Sequence, residues 1–163
     1  MLFDQYYNYV YTTCHRYVRH HHDAEDVVSI VFNRIFKNID KLNDLENHGL
    51  KRWIQTISIN ESLRFLKKRQ PIDYTADDFL LDTKVEPATL SVEVSDVSEI
   101  KKIVNDMPPG YRTIFLMNVV EGLSHTEIAE HLNISRNTSK SQMLKARKYL
   151  QTKLSKDKSR QYG

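Results

Sequence analysis

Residues 121–135 read EGLSHTEIAEHLNIS, and this stretch decides the fold. Ser124 with Glu127 three residues later forms the pattern of a capping box, which predicts that a helix begins there. Asn133 stands where a tight turn between two helices needs a residue that tolerates the left-handed conformation. Ser135 can then cap the next helix through its hydroxyl. The stretch therefore predicts a helix-turn-helix.

The helix that follows Ser135 has an apolar side and a basic side. Its apolar face carries Met143, Ala146, Leu150 and Leu154. Residues 136–160 hold nine basic residues and one acidic residue, a net charge of +8. A helix with this charge suits the major groove of DNA, as a recognition helix does. The open alternative is an αα-hairpin whose basic face is merely solvated.

The formal net charge of +3 is an average over a strongly polarised chain. Residues 1–69 carry +3, residues 70–99 carry −7, and residues 100–135 carry −1. Two basic segments separated by an acidic one indicate a polyanion that is bound at two places. A solvated basic tail would give the same net charge without a nucleic-acid partner.

Composition excludes several classes of protein. The chain has 163 residues and a single cysteine, which leaves no disulfide framework and no multi-cysteine zinc site. No apolar run reaches the roughly 18 residues of a membrane span, and the N-terminus lacks the layout of a signal peptide. We therefore expect a cytoplasmic protein without membrane insertion of its own.

The sequence offers no enzyme site. It has no nucleophile–base pairing, phosphate loop or metal-ligand spacing, so we expect no enzyme activity, no cofactor and no metal. The run His20–Asp23 could suggest a metal site, but consecutive residues rarely bring three imidazoles to one ion. We interpret this run as a loop and a helix cap. His125 and His131 are interpreted as helix-surface residues, and Cys14 as a small buried apolar residue.

Helical periodicity predicts an all-α chain of two small domains, at residues 1–69 and 97–163, joined by an acidic linker at 70–96. The first domain has helices at about 3–18, 23–39 and 46–69, and Asp23 is the predicted N-cap of the second. This second helix carries two adjacent apolar stripes, Val27–Val31–Ile35 and Val28–Phe32–Phe36. Either both stripes pack inside the domain, or one is left for a partner. The second domain breaks at Pro108-Pro109.

Several segments resemble the extracytoplasmic-function (ECF, group IV) sigma factors of RNA polymerase, in the sigma-70 family. Residues 107–124 and 133–148 resemble their region 4, and residues 23–36 resemble the region 2 helix that grips polymerase. Residues 53–69 resemble the segment that melts and reads the −10 promoter element. The match runs in the right order over nearly the whole chain outside the linker. The chain departs from the family at Ser29-Ile30, where Gln-Glu is usual, and at Asn137, Ser139 and Gln142.

The resemblance implies a transcription initiation factor that binds core RNA polymerase and promoter DNA. An anti-sigma factor is a further implied partner. The implied −35 contacts, on the recognition helix, are Ser135, Arg136, Asn137, Thr138, Lys140, Ser141, Gln142, Lys145 and Arg147. The implied −10 contacts are Trp53, Asn60, Arg64, Lys67 and Lys68. The implied polymerase contacts are Asp26, Val27, Phe32, Asn33, Arg34 and Phe36.

Other interpretations stay open at this point. Trp53 can equally be a plain core residue, since Ile54 and Ile57 flank it at helical spacing. Asn60 can be an ordinary surface residue. The whole chain can be a stand-alone DNA-binding repressor that uses only its helix-turn-helix, or a helical interaction module without a DNA function.

Overall fold

The computed structural model describes residues 1–42, 47–74 and 97–161, with side chains for 1–40, 49–74 and 97–156. The described residues form seven α-helices and no β-strand, which confirms the all-α prediction. The helices are α1 (Leu2–Val18), α2 (His21–Lys37), α3 (Asn47–Arg69), α4 (Val97–Asn105), α5 (Pro109–Phe115), α6 (His125–Leu132) and α7 (Arg136–Gln161). A 3₁₀ turn at Ile39–Leu42 follows α2, and a π-helical turn at Leu116–Val120 extends α5.

The chain divides into two compact units, Met1–Pro71 and Ile72–Gly163. Residues 75–96, which make up most of the predicted acidic linker, lie outside the described residues. Residues 72–74 belong to the second unit, where Tyr74 lies beside Gly110. Burial raises the pKa of the Tyr74 hydroxyl to about 12, although a hydrogen bond with the Thr113 side chain acts in the opposite direction.

In the N-terminal unit, each of the helices α1, α2 and α3 packs against the other two. Their shared core is formed by Val10, Cys14, Val18, Val27, Val28, Val31, Phe32, Ile35 and Ile54. Because α2 packs on both of its neighbours, the two apolar stripes predicted for it both face inward, except for Phe36, which is exposed. The ring of Phe32 lies 4.5 Å from that of Phe3 on α1, measured between centroids.

The start of α2 differs from the prediction that Asp23 is its N-cap. The capping position is His20, and Asp23 lies within the first helical turn. Its carboxylate instead accepts two hydrogen bonds from Arg69 at the end of α3, at 2.6 and 2.7 Å. This bidentate ion pair joins the beginning of α2 to the end of α3.

In the C-terminal unit, α7 packs against α4, α5 and α6. The buried centre includes Tyr111, Ile114, Met117, Ile128, Met143, Ala146, Leu150 and Leu154. The predicted apolar face of the recognition helix is therefore confirmed, and so is the break at Pro108-Pro109, since α4 ends at Asn105 and α5 begins at Pro109. The Tyr149 hydroxyl donates to the Asp106 carbonyl at 3.1 Å, which fixes α7 to the end of α4.

The helix-turn-helix follows the local signals closely. Ser124 and Glu127 form a complete capping box at the start of α6. Asn133 adopts the left-handed conformation, with φ 53° and ψ 48°, and ends α6. The Ser135 hydroxyl accepts a hydrogen bond from the Thr138 amide at 2.9 Å, and so caps α7. Two caps and one left-handed residue thus set the angle between the two helices.

Asn133 provides the first test of this turn. We expect Asn133→Ala to destabilise the α6–α7 pair by about 1 kcal/mol, because a Cβ disfavours the left-handed conformation and the substitution removes the side chain that offsets this. Asn133→Gly is the matched control and should be nearly neutral. Amide hydrogen exchange of peptides from α6 and α7, followed by mass spectrometry, measures the change locally. Equal exchange in the Ala and Gly variants would contradict the assignment.

Candidate nucleic-acid interface

The first three turns of α7 present a basic edge and a polar outer face. Arg136, Lys140 and Arg147 are exposed, and at 3.6 residues per turn they lie within about 40° of one another around the helix. The face beside them exposes Asn137, Ser141 and Leu144, while Thr138, Lys145 and Lys148 are half-buried. Cationic side chains beside a polar face are what a helix needs to hold phosphates while it reads base edges.

Leu144, which the sequence analysis did not select, adds an apolar side chain to this outer face of α7. In the structure it is 43% exposed. An exposed aliphatic side chain on this face can contact the methyl group of thymine in the major groove.

Gln142 was predicted to read DNA bases, but its side chain lies inside the C-terminal unit. It is 2% exposed, and its Oε1 lies 3.6 Å from the position that a Cβ on Gly110 would occupy. Gln142 therefore packs between α7 and α5, because Gly110 leaves room for it there. The prediction that Gln142 contacts DNA is wrong for this reason.

His125 is a further site residue that the sequence did not reveal. It is half-buried at the start of α6, and its Nδ1 lies 2.9 Å from the hydroxyl of Ser139 on α7, which is fully buried. Burial lowers the pKa of His125, and the cations Lys140, Arg147 and Arg136 lower it further. The imidazole is thus close enough to the cations of the basic edge for their positive charge to affect its protonation. His131, also expected on the surface, is half-buried, and burial lowers its pKa as well.

A second polar and basic surface lies on α3. Trp53, Asn60, Arg64, Lys67 and Lys68 fall within a sector of about 100° around the helix. Asn60, Arg64, Lys67 and Lys68 are exposed, whereas Trp53 is half-buried and packs against the core of the N-terminal unit. A single helix face thus combines one amide side chain with three cations and an aromatic ring.

Glu61 connects this surface of α3 to α2. Its side chain is 5% exposed, and its Oε1 lies 2.8 Å from Nε of Arg34 on α2 and 3.5 Å from Nη1 of Arg64. The two arginines are about half exposed, so each presents part of its guanidinium to solvent. One buried carboxylate therefore holds one arginine from each of the two predicted binding helices.

The residues of α2 that were predicted to contact polymerase differ in their exposure. Asp26, Asn33, Arg34 and Phe36 are exposed, but Val27 and Phe32 are buried, at 0% and 3% exposure. Val27 and Phe32 cannot offer their side chains to a partner, because they pack against neighbouring helices of the same unit. Ile30, at one of the positions that depart from the family pattern, is 42% exposed and adds an apolar side chain to this face.

The histidine run at the start of α2 forms a local polar network. The Tyr11 hydroxyl lies 2.8 Å from Nδ1 of His21, and His21 and His22 each approach the Glu25 carboxylate. Among the described residues, no group of three or more His, Cys, Asp or Glu side chains is arranged to hold a metal ion. In the same part of the chain, every helix is too short or too polar to cross a membrane.

Comparison with known protein families identifies both units. Residues 2–72 match the family described as Sigma-70 region 2, and residues 98–150 match the one described as Sigma-70, region 4. This chain belongs to the sigma-70 family of RNA polymerase sigma factors. Sigma factors are transcription initiation factors that act with RNA polymerase, and they are regulatory proteins rather than enzymes.

Curated relatives assign the sigma factor to the ECF group. The chain is 28% identical to the ECF RNA polymerase sigma factor SigW of Bacillus subtilis, over 93% of this chain and 86% of SigW. It is 25% identical to RNA polymerase sigma factor SigV of the same organism, over 90% of this chain and 85% of SigV. The predicted family is confirmed.

A solved structure shares the fold of this sigma factor. It is the sigma factor RpoE of Bartonella quintana, crystallised with the anti-sigma factor NepR. The two chains are 23% identical, each is covered over 94% of its length, and the TM-score is 0.60.

Glu61 provides a second test. We expect Glu61→Gln to destabilise the N-terminal unit by about 1–3 kcal/mol, because a neutral amide would leave two guanidinium groups without their buried counter-charge. Glu25→Gln is the matched control, since its partners His21 and His22 are exposed and such pairs contribute about 0–1 kcal/mol. The fluorescence of Trp53, the single tryptophan, reports unfolding of this unit alone. Equal losses in the two variants would contradict the assignment.

Proposed function

We propose that this sigma factor directs core RNA polymerase to promoters by reading the −35 element as duplex DNA and opening the −10 element. The observation that carries the proposal is the presence of two separate basic and polar surfaces on one chain. One surface is the start of α7 in region 4, and the other is the outer face of α3 in region 2. Duplex and opened DNA need different recognition chemistry, and the two surfaces differ accordingly.

At the −35 element, the start of α7 enters the major groove. Arg136 and Asn137 present hydrogen-bonding groups to base edges, and Ser141 offers its hydroxyl beside them. Lys140, Lys145 and Arg147 contact phosphates, which fixes the position of the helix without reading sequence. The backbone amides of Arg136 and Asn137, in the first turn of α7, favour a further phosphate, whereas the Thr138 amide already donates to Ser135.

At the −10 element, the outer face of α3 receives a strand that has left the duplex. The amide of Asn60 can both donate to and accept from the edge of an unstacked base. Arg64, Lys67 and Lys68 surround it with positive charge that suits the backbone of that strand. The half-buried Trp53 supports this face from within, two helical turns before Asn60.

Core polymerase binds the exposed face of α2. Asp26, Asn33 and Arg34 supply polar contacts, and Phe36 with Ile30 supplies the apolar ones, since exposed apolar side chains among polar ones mark a partner site. The ion pair between Arg34 and Glu61 holds this face of α2 in a fixed position relative to α3. An anti-sigma factor is a further proposed partner, by analogy with the complex in which the Bartonella quintana protein was solved.

The alternative function is that of a stand-alone repressor, which would use only region 4. It leaves the polar faces of α2 and α3 without a role. A pull-down of core polymerase by the full chain separates the two functions. Capture of polymerase by the wild type supports the sigma factor, and DNA binding without polymerase capture favours the repressor.

In vitro transcription with core polymerase and a promoter library tests the DNA contacts. We expect Arg136→Ala and Lys140→Ala to lower initiation by about tenfold, because each lost contact to DNA costs about 1–3 kcal/mol. Asn60→Ala should change base preference only at the −10 element. Lys101→Ala, which removes an exposed charge from α4, is the control and should change nothing. If the wild type gives no factor-dependent start, the proposal fails.

Polymerase docking is tested by titrating core polymerase against labelled full chain. Phe36→Ala should weaken binding by about five- to thirtyfold, because burial of an exposed aromatic ring against a partner contributes about 1–2 kcal/mol. His22→Ala, at a highly exposed position in the first turn of the same helix, should bind as the wild type does. Unchanged affinity of Phe36→Ala would place the polymerase surface elsewhere.

A further inference from the structure

The proposed contacts to base edges and phosphates do not explain the hydrogen bond between His125 and Ser139. It joins α6 to α7 at 2.9 Å, and Ser139 is fully buried beneath the imidazole. We propose that His125 positions the recognition helix through Ser139 and takes up a proton when promoter phosphates bind the basic edge of α7. This inference rests on the proposed contact between α7 and the −35 element.

The chemistry of the pair allows the contact to persist when the charge changes. A serine hydroxyl can donate to the Nδ1 of a neutral imidazole, and it can equally accept from the Nδ1–H of a protonated one. An aliphatic residue at position 139 could do neither. With serine at this position, His125 can therefore change its charge and keep its hydrogen bond to α7.

The surroundings of His125 determine when it binds the proton. Arg136, Lys140 and Arg147 on α7 face it and lower its pKa, in addition to the larger effect of burial. On its own helix, the Glu127 carboxylate is held by the Ser124 amide at 2.8 Å. The π-helical turn at Leu116–Val120, which also packs on α6, carries no titratable residue. The charges around His125 in the free protein are therefore dominated by the three cations.

The direction of the pH effect follows from these charges. Phosphates that bind Arg136, Lys140 and Arg147 neutralise the cations, and the pKa of His125 rises toward its ordinary value of 6.5, because only the effect of burial then still lowers it. The DNA-bound form then holds more protons than the free form near pH 6.5, so affinity for the promoter increases as the pH falls through this range. The free unit shows the opposite trend: because the pKa of His125 is lower in the folded unit than in the unfolded chain, the stability of the unit decreases as the pH falls below 6.5.

Substitutions can separate the positioning role from the proton uptake. His125→Asn places an amide near the position of Nδ1, so it can keep the hydrogen bond to Ser139 but cannot titrate. Ser139→Ala removes the hydrogen bond and leaves the imidazole able to titrate. His131→Gln, the control, removes the other half-buried histidine of the same helix, which lies near Glu127 and Glu130 rather than near the cations.

The test is the affinity of the reconstituted holoenzyme for a selected promoter between pH 6 and 8.5, measured by fluorescence anisotropy at constant ionic strength. The wild type and His131→Gln should bind about three- to tenfold more tightly at the acidic end, relative to His125→Asn. Ser139→Ala should bind more weakly at every pH and keep the slope. In the full chain, NMR titration of the His125 ring should show a higher pKa with the promoter duplex than without it.

Two results would overturn the inference. The first is an identical pH profile for the wild type and His125→Asn, and the second is wild-type affinity in Ser139→Ala. Either result leaves the proposed promoter function intact as long as the wild-type holoenzyme still initiates on the same promoter. Absence of initiation by the wild type would instead remove the proposed function itself.

Discussion

The reversal of the chain at Asn133 is the constraint on which the C-terminal unit depends. Three residues separate the end of α6 at Leu132 from the start of α7 at Arg136, so the turn must be made almost entirely by one left-handed residue. The caps at Ser124 and Ser135 fix where each helix begins, and the turn fixes the rotation of α7 about its axis. That rotation places Ser139 and Gln142 inside and the basic edge outside.

Buried polar groups have a comparable role in the N-terminal unit. The carboxylate of Glu61 contacts arginines from α2 and α3, and Asp23 holds Arg69 through two hydrogen bonds. These pairs join the two ends of α2 to the C-terminal half of α3, and the apolar faces of the two helices already pack together. Apolar packing alone is tolerant of small rotations, whereas a bidentate ion pair is directional, so these pairs favour one arrangement of the two helices. The exposed faces of α2 and α3 therefore keep a defined orientation relative to each other.

Local signals in the sequence were sufficient for the fold and for part of the site. The capping box, the left-handed Asn133 and the Ser135 cap are decided within a few residues, and all were predictable. The burial of Phe32 and Gln142 was not, because helical periodicity shows which residues share a face but not how many neighbours cover it. The contact between His125 and Ser139 spans fourteen residues and depends on the crossing of two helices, so only the structure reveals it. The DNA contacts and the acidic linker remain predictions.

The most direct test of two-site promoter recognition is a cryo-electron microscopy structure of the open complex formed by this chain, core polymerase and a selected promoter. Two-site recognition predicts the start of α7 in the major groove of the −35 duplex, with Arg136 and Lys140 against DNA. It also predicts an unstacked −10 base beside Asn60, and the exposed face of α2 against polymerase. A complex in which α7 faces solvent, or in which the opened strand lies away from α3, would contradict two-site recognition.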